Sequence, residues 1–232
     1  MTNIRRITTD SVLQKLGAIH TPPRTFLHWD TPFHLLMATI LSAQCTDKMV
    51  NRLSPKLFEK YRTPEDLAHA KIEELQRDIH SCGHFRVKAK YLKSASAMLL
   101  EKFVGEVPGT MEELLMLPGV GRKTAAVILY AVFKKNDGIA VDTHVFRVAR
   151  RLGLSKGKTQ ARIERDLMEQ TPRAQWGRLH TLLIVHGRTI CTARNRKCST
   201  CMFREECPSS LVRSKKDLAH DARTKIPRKT RR

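Results

Sequence analysis

Apolar residues recur at helical spacing along most of the chain, and this periodicity constrains the fold more than any other feature. Dipeptides such as Thr31-Pro32 and Thr63-Pro64 separate the periodic segments and are interpreted as breaks between helices. Alternating strand patterns are scarce, since Ile139-Ala140-Val141 is short and lies between two such segments. The pattern therefore predicts an all-α protein with helices over residues 33–42, 50–61, 72–79, 88–103, 111–117, 122–133, 145–152, 162–168 and 176–190.

Two of these predicted helices are joined by Leu117-Pro118-Gly119-Val120-Gly121, which is typical of a tight hairpin. Gly119 and Gly121 permit positive φ and leave backbone N–H groups uncovered, so the turn and the start of the next helix form a predicted anion site. Arg122 and Lys123 follow in the first turn, where the helix dipole disfavours a cation by roughly a few tenths of a kcal/mol. A bound DNA phosphate would compensate for both cations. The alternative is a plain helix connection with two solvated cations.

Lys123 and Asp142 are the candidate catalytic residues. A lysine acts as a nucleophile only as the neutral amine, and a helix N-terminus, the neighbouring Arg122 and partial burial all favour that form. Asp142 precedes a predicted helix, which is the position of an N-cap. Residues 134–141 span up to ~26 Å when extended, so Asp142 can return to the start of the ~18 Å helix that carries Lys123. Its carboxylate would then steady positive charge on a sugar or move protons; a cap without a catalytic role is the alternative.

Four of the six cysteines fall within 17 residues, while Cys45 and Cys82 stand alone. Clustered cysteines in a chain without a secretory signal are more often metal ligands than disulfides. Four thiolates fit zinc or a 4Fe–4S cluster, although gaps of six, two and five residues differ from the paired C-x2-C motifs of a zinc ribbon. The predicted ligands are Cys191, Cys198, Cys201 and Cys207.

The chain is strongly basic, with 43 Lys and Arg against 22 Asp and Glu and a net charge of +21. This charge indicates a polyanionic partner, nucleic acid before an anionic membrane surface. Residues 212–232 are predicted to form a flexible basic arm. Three further cations in the first gap of the cysteine cluster would contact DNA phosphates or be solvated, namely Arg194, Arg196 and Lys197.

A membrane partner and a secretory route have no support in the sequence. No apolar run approaches the ~18 residues that a membrane span needs. The N-terminus, MTNIRRITTD, is too polar for a secretory signal. We therefore expect a cytoplasmic, nucleoid-associated protein.

Five motifs together resemble the endonuclease III family of the helix-hairpin-helix DNA glycosylase superfamily. They are LPGVGRKTAA, VDTHVFRV, C-x6-C-x2-C-x5-C, HLLMATILSAQCTD and GHFRVKAKYL, and the resemblance covers roughly residues 10–208. It implies a bilobed all-α fold with a six-helix domain over residues 25–135. The second lobe would combine residues 1–24 and 136–211 and hold a 4Fe–4S cluster on the four cysteines. DNA would bind in the cleft, with the damaged base flipped out.

The resemblance also implies roles for single residues. Lys123 matches the family's nucleophile and Asp142 its catalytic aspartate. Gln44 matches the residue that fills the gap left by the flipped base. His84 stands where the family commonly inserts an apolar residue into the DNA stack, so we expect it to stack on a base; a plain loop histidine is the alternative.

The implied activity is that of a bifunctional DNA glycosylase and abasic-site lyase, removing oxidised pyrimidines from duplex DNA through a lysine Schiff base. The implied partner is double-stranded DNA with damaged bases or abasic sites, bound by a monomer. An adenine- or mismatch-specific glycosylase of the same fold is one alternative, although the adenine branch typically lacks a lysine at the position of Lys123. A non-catalytic DNA-binding module is the other.

Overall fold

The computed structural model describes residues 6–212, so the predicted basic arm lies outside the described residues apart from Val212. Residues 6–212 contain no β-strand, which confirms the all-α prediction, and none of their helices is long and apolar enough to cross a lipid bilayer. Their α-helices are α1 (Thr9–Ile19), α2 (Pro32–Ser42), α3 (Asp47–Lys60), α4 (Pro64–His69), α5 (Ile72–Asp78), α6 (Phe85–Phe103), α7 (Met111–Met116), α8 (Arg122–Ala131), α9 (Thr143–Leu152), α10 (Gln160–Glu169) and α11 (Trp176–Thr189).

Threonine side chains begin most of these helices by accepting a hydrogen bond from a backbone N–H of the first turn. At Thr31 and Thr63, the capping threonine is followed by a proline in the first turn. The predicted breaks at these two dipeptides are confirmed, and each also starts a helix. Periodicity predicted neither α1 nor α4, so two of the eleven α-helices in residues 6–212 were missed. Residues 25–135 thus contain seven helices, α2–α8, where six were expected.

Buried apolar side chains form two separate clusters. The first belongs to α2–α8, which we call the first lobe, and it surrounds α2, whose residues 33–41 are all buried. The second cluster joins α1 to α9, α10 and α11, which we call the second lobe, and it includes Phe203. These clusters support the predicted lobe boundaries at residues 24/25 and 135/136, which stay a proposal.

The extended segment Ile139-Ala140-Val141 connects the two lobes. Its side chains alternate, as in any extended chain: Ile139 and Val141 are buried in the second cluster, whereas Ala140 is buried in the first. The segment therefore runs between the two cores, and it delivers Asp142 to the place where the lobes meet.

Candidate active site

The hairpin between α7 and α8 has the predicted shape, with different roles for its two glycines. Gly119 has φ +81°, and a Cβ atom on it would lie 2.9 Å from the Cβ of Tyr91. Only glycine fits there. Gly121 has φ −99° and so does not use the positive φ that a glycine permits. A Cβ on Gly121 would meet nothing within 4 Å, and no side chain caps α8. The first N–H groups of α8 are thus open to an anion.

Arg122 forms an ion pair with a carboxylate of the protein itself. Its Nε lies 3.1 Å from both carboxylate oxygens of Glu164 in α10. The Arg122 side chain is 51% exposed and that of Glu164 only 14%. A carboxylate from the second lobe therefore compensates for this cation at the start of α8. The expected contact between Arg122 and a DNA phosphate stays a prediction, and it would compete with Glu164.

Lys123 and Asp142 line one cavity of ≈ 260 Å³ between the lobes. Lys123 is exposed, so the expectation of partial burial is wrong, and it makes no hydrogen bond or ion pair to any residue in the described range. Helices α2, α8 and α11 supply most of the remaining wall. The other lining residues are Arg24, Thr25, Phe26, Leu27, Thr39, Ser42, Ala43, Asp47, Thr124, Val127, His180, Thr181, Ile184 and Arg188.

Asp142 is the N-cap of α9, as predicted. Its Oδ1 accepts hydrogen bonds from the backbone N–H groups of His144 at 2.9 Å and Val145 at 2.8 Å. No described residue donates a hydrogen bond to Oδ2. The cap thus fixes the carboxylate through one oxygen and leaves the other available to a ligand in the cavity.

His180 completes the cavity wall and was missed by the sequence analysis, since it lies within the apolar pattern of α11. The residue is 7% exposed, and its Nδ1 lies 2.6 Å from the Ala140 carbonyl oxygen. Burial lowers the pKa of His180, and the charge of Lys123 adds to this effect while that of Asp142 opposes it. The neutral ring therefore donates from Nδ1 to Ala140 and holds the segment that leads to Asp142.

An ion pair between Asp47 of α3 and Arg188 of α11 bridges the two lobes beside the cavity. The Arg188 guanidinium also lies 4.3 Å from the centre of the Phe26 ring. The sequence contained no signal for this pair, because its partners are far apart along the chain.

Gln44 and His84 lie on two exposed loops that touch each other. A Cβ built on Gly83 would lie 3.7 Å from the Gln44 carbonyl oxygen. Gln44 has φ 52° and His84 has φ 59°, a left-handed conformation that is uncommon for residues other than glycine. Such strain often marks a functional site. The structure thus brings the two predicted DNA-inserting residues together on one surface.

The four clustered cysteines line a second, smaller cavity, and none of them forms a disulfide. Burial raises the pKa of Cys201 and of Cys207; a hydrogen bond from the backbone opposes this effect at each sulfur, and the charges of neighbouring cluster cysteines add to it. Within residues 6–212, no three metal-binding side chains converge as they would around a single ion. The four cysteines nevertheless line one cavity, and an all-cysteine donor set is the chemistry that binds either a 4Fe–4S cluster or zinc. The choice between the two stays a prediction.

An arginine side chain of α9 holds the cysteine loop through backbone carbonyl groups of the loop. Arg151 donates to the carbonyl oxygens of Thr192 at 2.7 Å and Ala193 at 3.1 Å, and its Nη1 lies 3.5 Å from the Cys191 sulfur. Among the three predicted DNA-contacting cations of the loop, Arg194 and Lys197 are exposed. The third, Arg196, donates to the Ser209 carbonyl oxygen at 2.8 Å. It therefore has a structural partner already.

Comparison with known proteins identifies the family of the chain. Residues 37–173 match the HhH-GPD superfamily of base excision DNA repair proteins. Over 184 residues the chain is 48% identical to endonuclease III of Synechocystis sp., covering 79% of this chain and 84% of that protein. Over 219 residues it is 42% identical to endonuclease III of Bacillus subtilis, covering 94% and 99%. A solved structure of a trapped endonuclease III–DNA covalent intermediate superimposes with a TM-score of 0.80 at 41% identity, covering 87% and 93%. The chain belongs to the endonuclease III family of the HhH-GPD superfamily.

Proposed function

We propose that the protein is a bifunctional DNA glycosylase and abasic-site lyase of base excision repair, acting on oxidised pyrimidines in duplex DNA. The observation that carries this proposal is the placement of Lys123 and Asp142 on one cavity between the lobes. An amine without an internal partner and a carboxylate with one free oxygen are the groups that a Schiff-base mechanism needs.

Lys123 supplies the nucleophile. Its Nζ attacks C1′ of the damaged nucleoside, and the bond from C1′ to the base breaks as the base leaves with the electron pair and takes up a proton. Opening of the sugar ring then gives an imine between Nζ and C1′. Loss of the C2′ proton and departure of the 3′-phosphate complete a β-elimination.

Asp142 stabilises the positive charge that develops on the sugar as the base departs. Its Oδ1 is held by two backbone N–H groups, so the carboxylate is oriented before the substrate arrives. His180 is a positioning residue in this scheme, since it holds the Ala140 carbonyl two residues before Asp142.

The DNA lies across both lobes. The open N–H groups at Gly121 and the start of α8 bind a phosphate, and Arg122, Arg194 and Lys197 add charge along the backbone. The touching loops of Gln44 and His84 fill the space that the flipped nucleotide leaves in the duplex. The net charge of +21 favours a polyanionic partner of this kind.

Cys191, Cys198, Cys201 and Cys207 would hold a 4Fe–4S cluster in the second lobe. A bound cluster supplies a covalent framework for the loop and a one-electron redox centre. Arg151, whose guanidinium lies beside the Cys191 sulfur, would fix the position of the loop together with the four thiolates. The loop cations Arg194 and Lys197 are thereby presented toward the DNA.

Borohydride trapping on a duplex with a single thymine glycol, and on one with a single abasic site, tests the proposal. Wild-type protein should give a covalent adduct that peptide mapping places on Lys123, and it should nick both duplexes. Lys123→Gln should give no adduct and lose excision and nicking by on the order of 10³-fold or more, while its unfolding temperature stays within about 2 °C. An adduct on another amine, or a fully active Gln variant, would overturn the mechanism. Binding of both duplexes without nicking by wild type would indicate a DNA-binding module.

A further inference from the structure

Two cysteines outside the cluster, Cys45 and Cys82, are far apart in the sequence and meet in the structure. Their sulfur atoms lie 3.7 Å apart. Cys82 is 1% exposed, and Cys45 is half-buried at the edge of the first core. A disulfide bond needs sulfurs ~2.05 Å apart, so the two must approach by less than ~2 Å to be joined.

The two thiols sit directly behind the loops that the DNA-binding proposal uses. Cys45 follows Gln44, and Cys82 is separated from His84 only by Gly83. The buried Lys88 fixes this arrangement from the other side, because its Nζ donates to the Leu41 carbonyl oxygen at 2.8 Å and so ties the end of α2 to α6. The backbone that carries each thiol is thus already held against the other.

We propose that Cys45 and Cys82 are a reversible redox modification site, in which a peroxide converts the thiol pair into a disulfide that links the Gln44 loop to the His84 loop. The four cluster cysteines are separate from this pair in sequence and lie in the other lobe. The modification acts on the proposed DNA contact, so its functional consequence rests on the proposed function.

The reaction balances with a hydroperoxide as the oxidant. The Cys45 sulfur, the more accessible of the two, attacks one peroxide oxygen; the O–O bond breaks, giving a sulfenic acid on Cys45 and water when hydrogen peroxide is used. The Cys82 sulfur then attacks the Cys45 sulfur and expels the hydroxyl, which leaves as a second water with the Cys82 proton. Two thiols and one peroxide thus give one disulfide and two waters, and exchange with a small dithiol reverses the change.

The surroundings of Cys82 indicate which of the two thiols reacts with peroxide first. Burial raises the pKa of Cys82 to about 11, and the neighbouring Cys45 adds to this effect, while the charge of Lys88 opposes it. Cys82 therefore stays protonated at neutral pH and reacts poorly with peroxide, because the thiolate is the nucleophile. It serves as the resolving thiol once Cys45 has been oxidised next to it.

The disulfide would change how the two loops meet DNA. Drawing the sulfurs together shifts the adjoining Gln44 and His84, and a misplacement of ~1 Å in a positioning group can cost ~10²-fold in rate. We expect oxidised protein to excise a lesion at least about tenfold more slowly than reduced protein, with recovery after treatment with dithiothreitol.

Peptide mapping tests the bond without reference to activity. The full-length wild-type protein is treated with one equivalent of hydrogen peroxide, alkylated and digested with trypsin without reduction. A linked species of peptides 25–48 and 78–86, lighter by two hydrogens than their sum, is expected and should disappear with dithiothreitol. If the cluster cysteines oxidise while 25–48 and 78–86 stay separate, or if either peptide pairs with a cluster peptide instead, the proposed site is wrong.

A matched variant tests the consequence. Cys45→Ala keeps Cys82 and all four cluster cysteines, so any loss through cluster damage affects it as it affects wild type. Peroxide should slow thymine glycol excision at least about tenfold in wild type and less than about twofold in the variant. Linked peptides with unchanged excision, or equal losses in both proteins, would overturn the regulatory role. If wild-type protein forms the linked species after peroxide treatment but excises no base even when fully reduced, the proposed function is refuted while the thiol pair is established.

Discussion

The cavity that holds Lys123 and Asp142 and the loop that holds the four cysteines are stabilised by different forces. The cavity walls are helices whose other faces lie in the two apolar cores. The cysteine loop, residues 191–207, has one short 3₁₀ turn at Cys198–Thr200 and one fully buried aromatic residue, Phe203. Arginine side chains hold the rest of it through backbone carbonyl groups.

This difference teaches where each site is vulnerable. The cavity depends on how two lobes pack, so its weak points are close contacts between helices. With the proposed 4Fe–4S cluster bound, the loop would depend on that cluster, because few apolar groups are available to order it. A change in the ligands should disturb the loop more than the cavity, whereas a change at the lobe contact should do the reverse.

Cys198→Ser should lower the free energy of unfolding the most, and its structural effect should be confined to the cysteine loop. A structural zinc ion contributes on the order of 10–16 kcal/mol in zinc-finger peptides, so a variant that loses most of its bound iron should also lose at least about 3 kcal/mol of stability. Iron analysis and visible absorbance measure this loss. Cys45→Ser is the control with the same chemical change in the first lobe, and it should keep its iron. Zinc in the wild-type protein, without iron, would contradict the assignment of the cluster.

Asp142→Asn tests the catalytic role of the carboxylate in the cavity without removing the cap of α9. Asparagine is as good an N-cap as aspartate, so the free energy of unfolding should change by less than about 0.5 kcal/mol, while excision under single-turnover conditions falls about 10²-fold. Asp142→Ala should lose the same activity and about 1 kcal/mol of stability as well. If Asn retained full activity, Asp142 would be a helix cap and nothing more.

Gly177→Ala should damage the contact between the lobes. A Cβ on Gly177 of α11 would lie 2.2 Å from the ring of Tyr130 in α8, so one helix must shift. We expect a loss of about 1–3 kcal/mol in the free energy of unfolding, with bound iron unchanged. Tyr130→Ala removes the ring, and the double variant should therefore cost less than the sum of the two single changes. Strict additivity would show that the clash does not determine the lobe packing.

Glu164→Gln should have a small effect on stability and a clear effect on DNA binding. The Arg122–Glu164 pair is partly exposed, so its loss should change the free energy of unfolding by less than about 1 kcal/mol. Arg122, once released, can contact a phosphate, which would steepen the log–log salt dependence of duplex affinity by about −0.9. The double variant with Arg122→Gln should return to the wild-type slope or a shallower one. An unchanged slope in Glu164→Gln would exclude Arg122 from the phosphate contacts.

Local chemistry made several elements predictable from sequence. The helical periodicity predicted nine helices, and the position of Asp142 after an extended segment predicted its cap. Gly119 has the positive φ that the sequence permits, and the tight hairpin there was predicted. These features depend on residues within about four positions of one another, so the local sequence is enough to predict them.

Long-range packing determined the rest. Glu164 beside Arg122, Arg188 beside Asp47 and His180 behind Asp142 are contacts between residues 38 to 141 positions apart, which no local pattern encodes. The same holds for Cys45 and Cys82, which stand alone in the sequence and lie 3.7 Å apart in the fold. The sequence alone therefore indicated nine of the eleven α-helices in residues 6–212 and the cap at Asp142, because these follow from nearest neighbours. Only the packing of the two apolar cores decided which charges and thiols meet, because the distance between remote residues depends on how whole helices fit together.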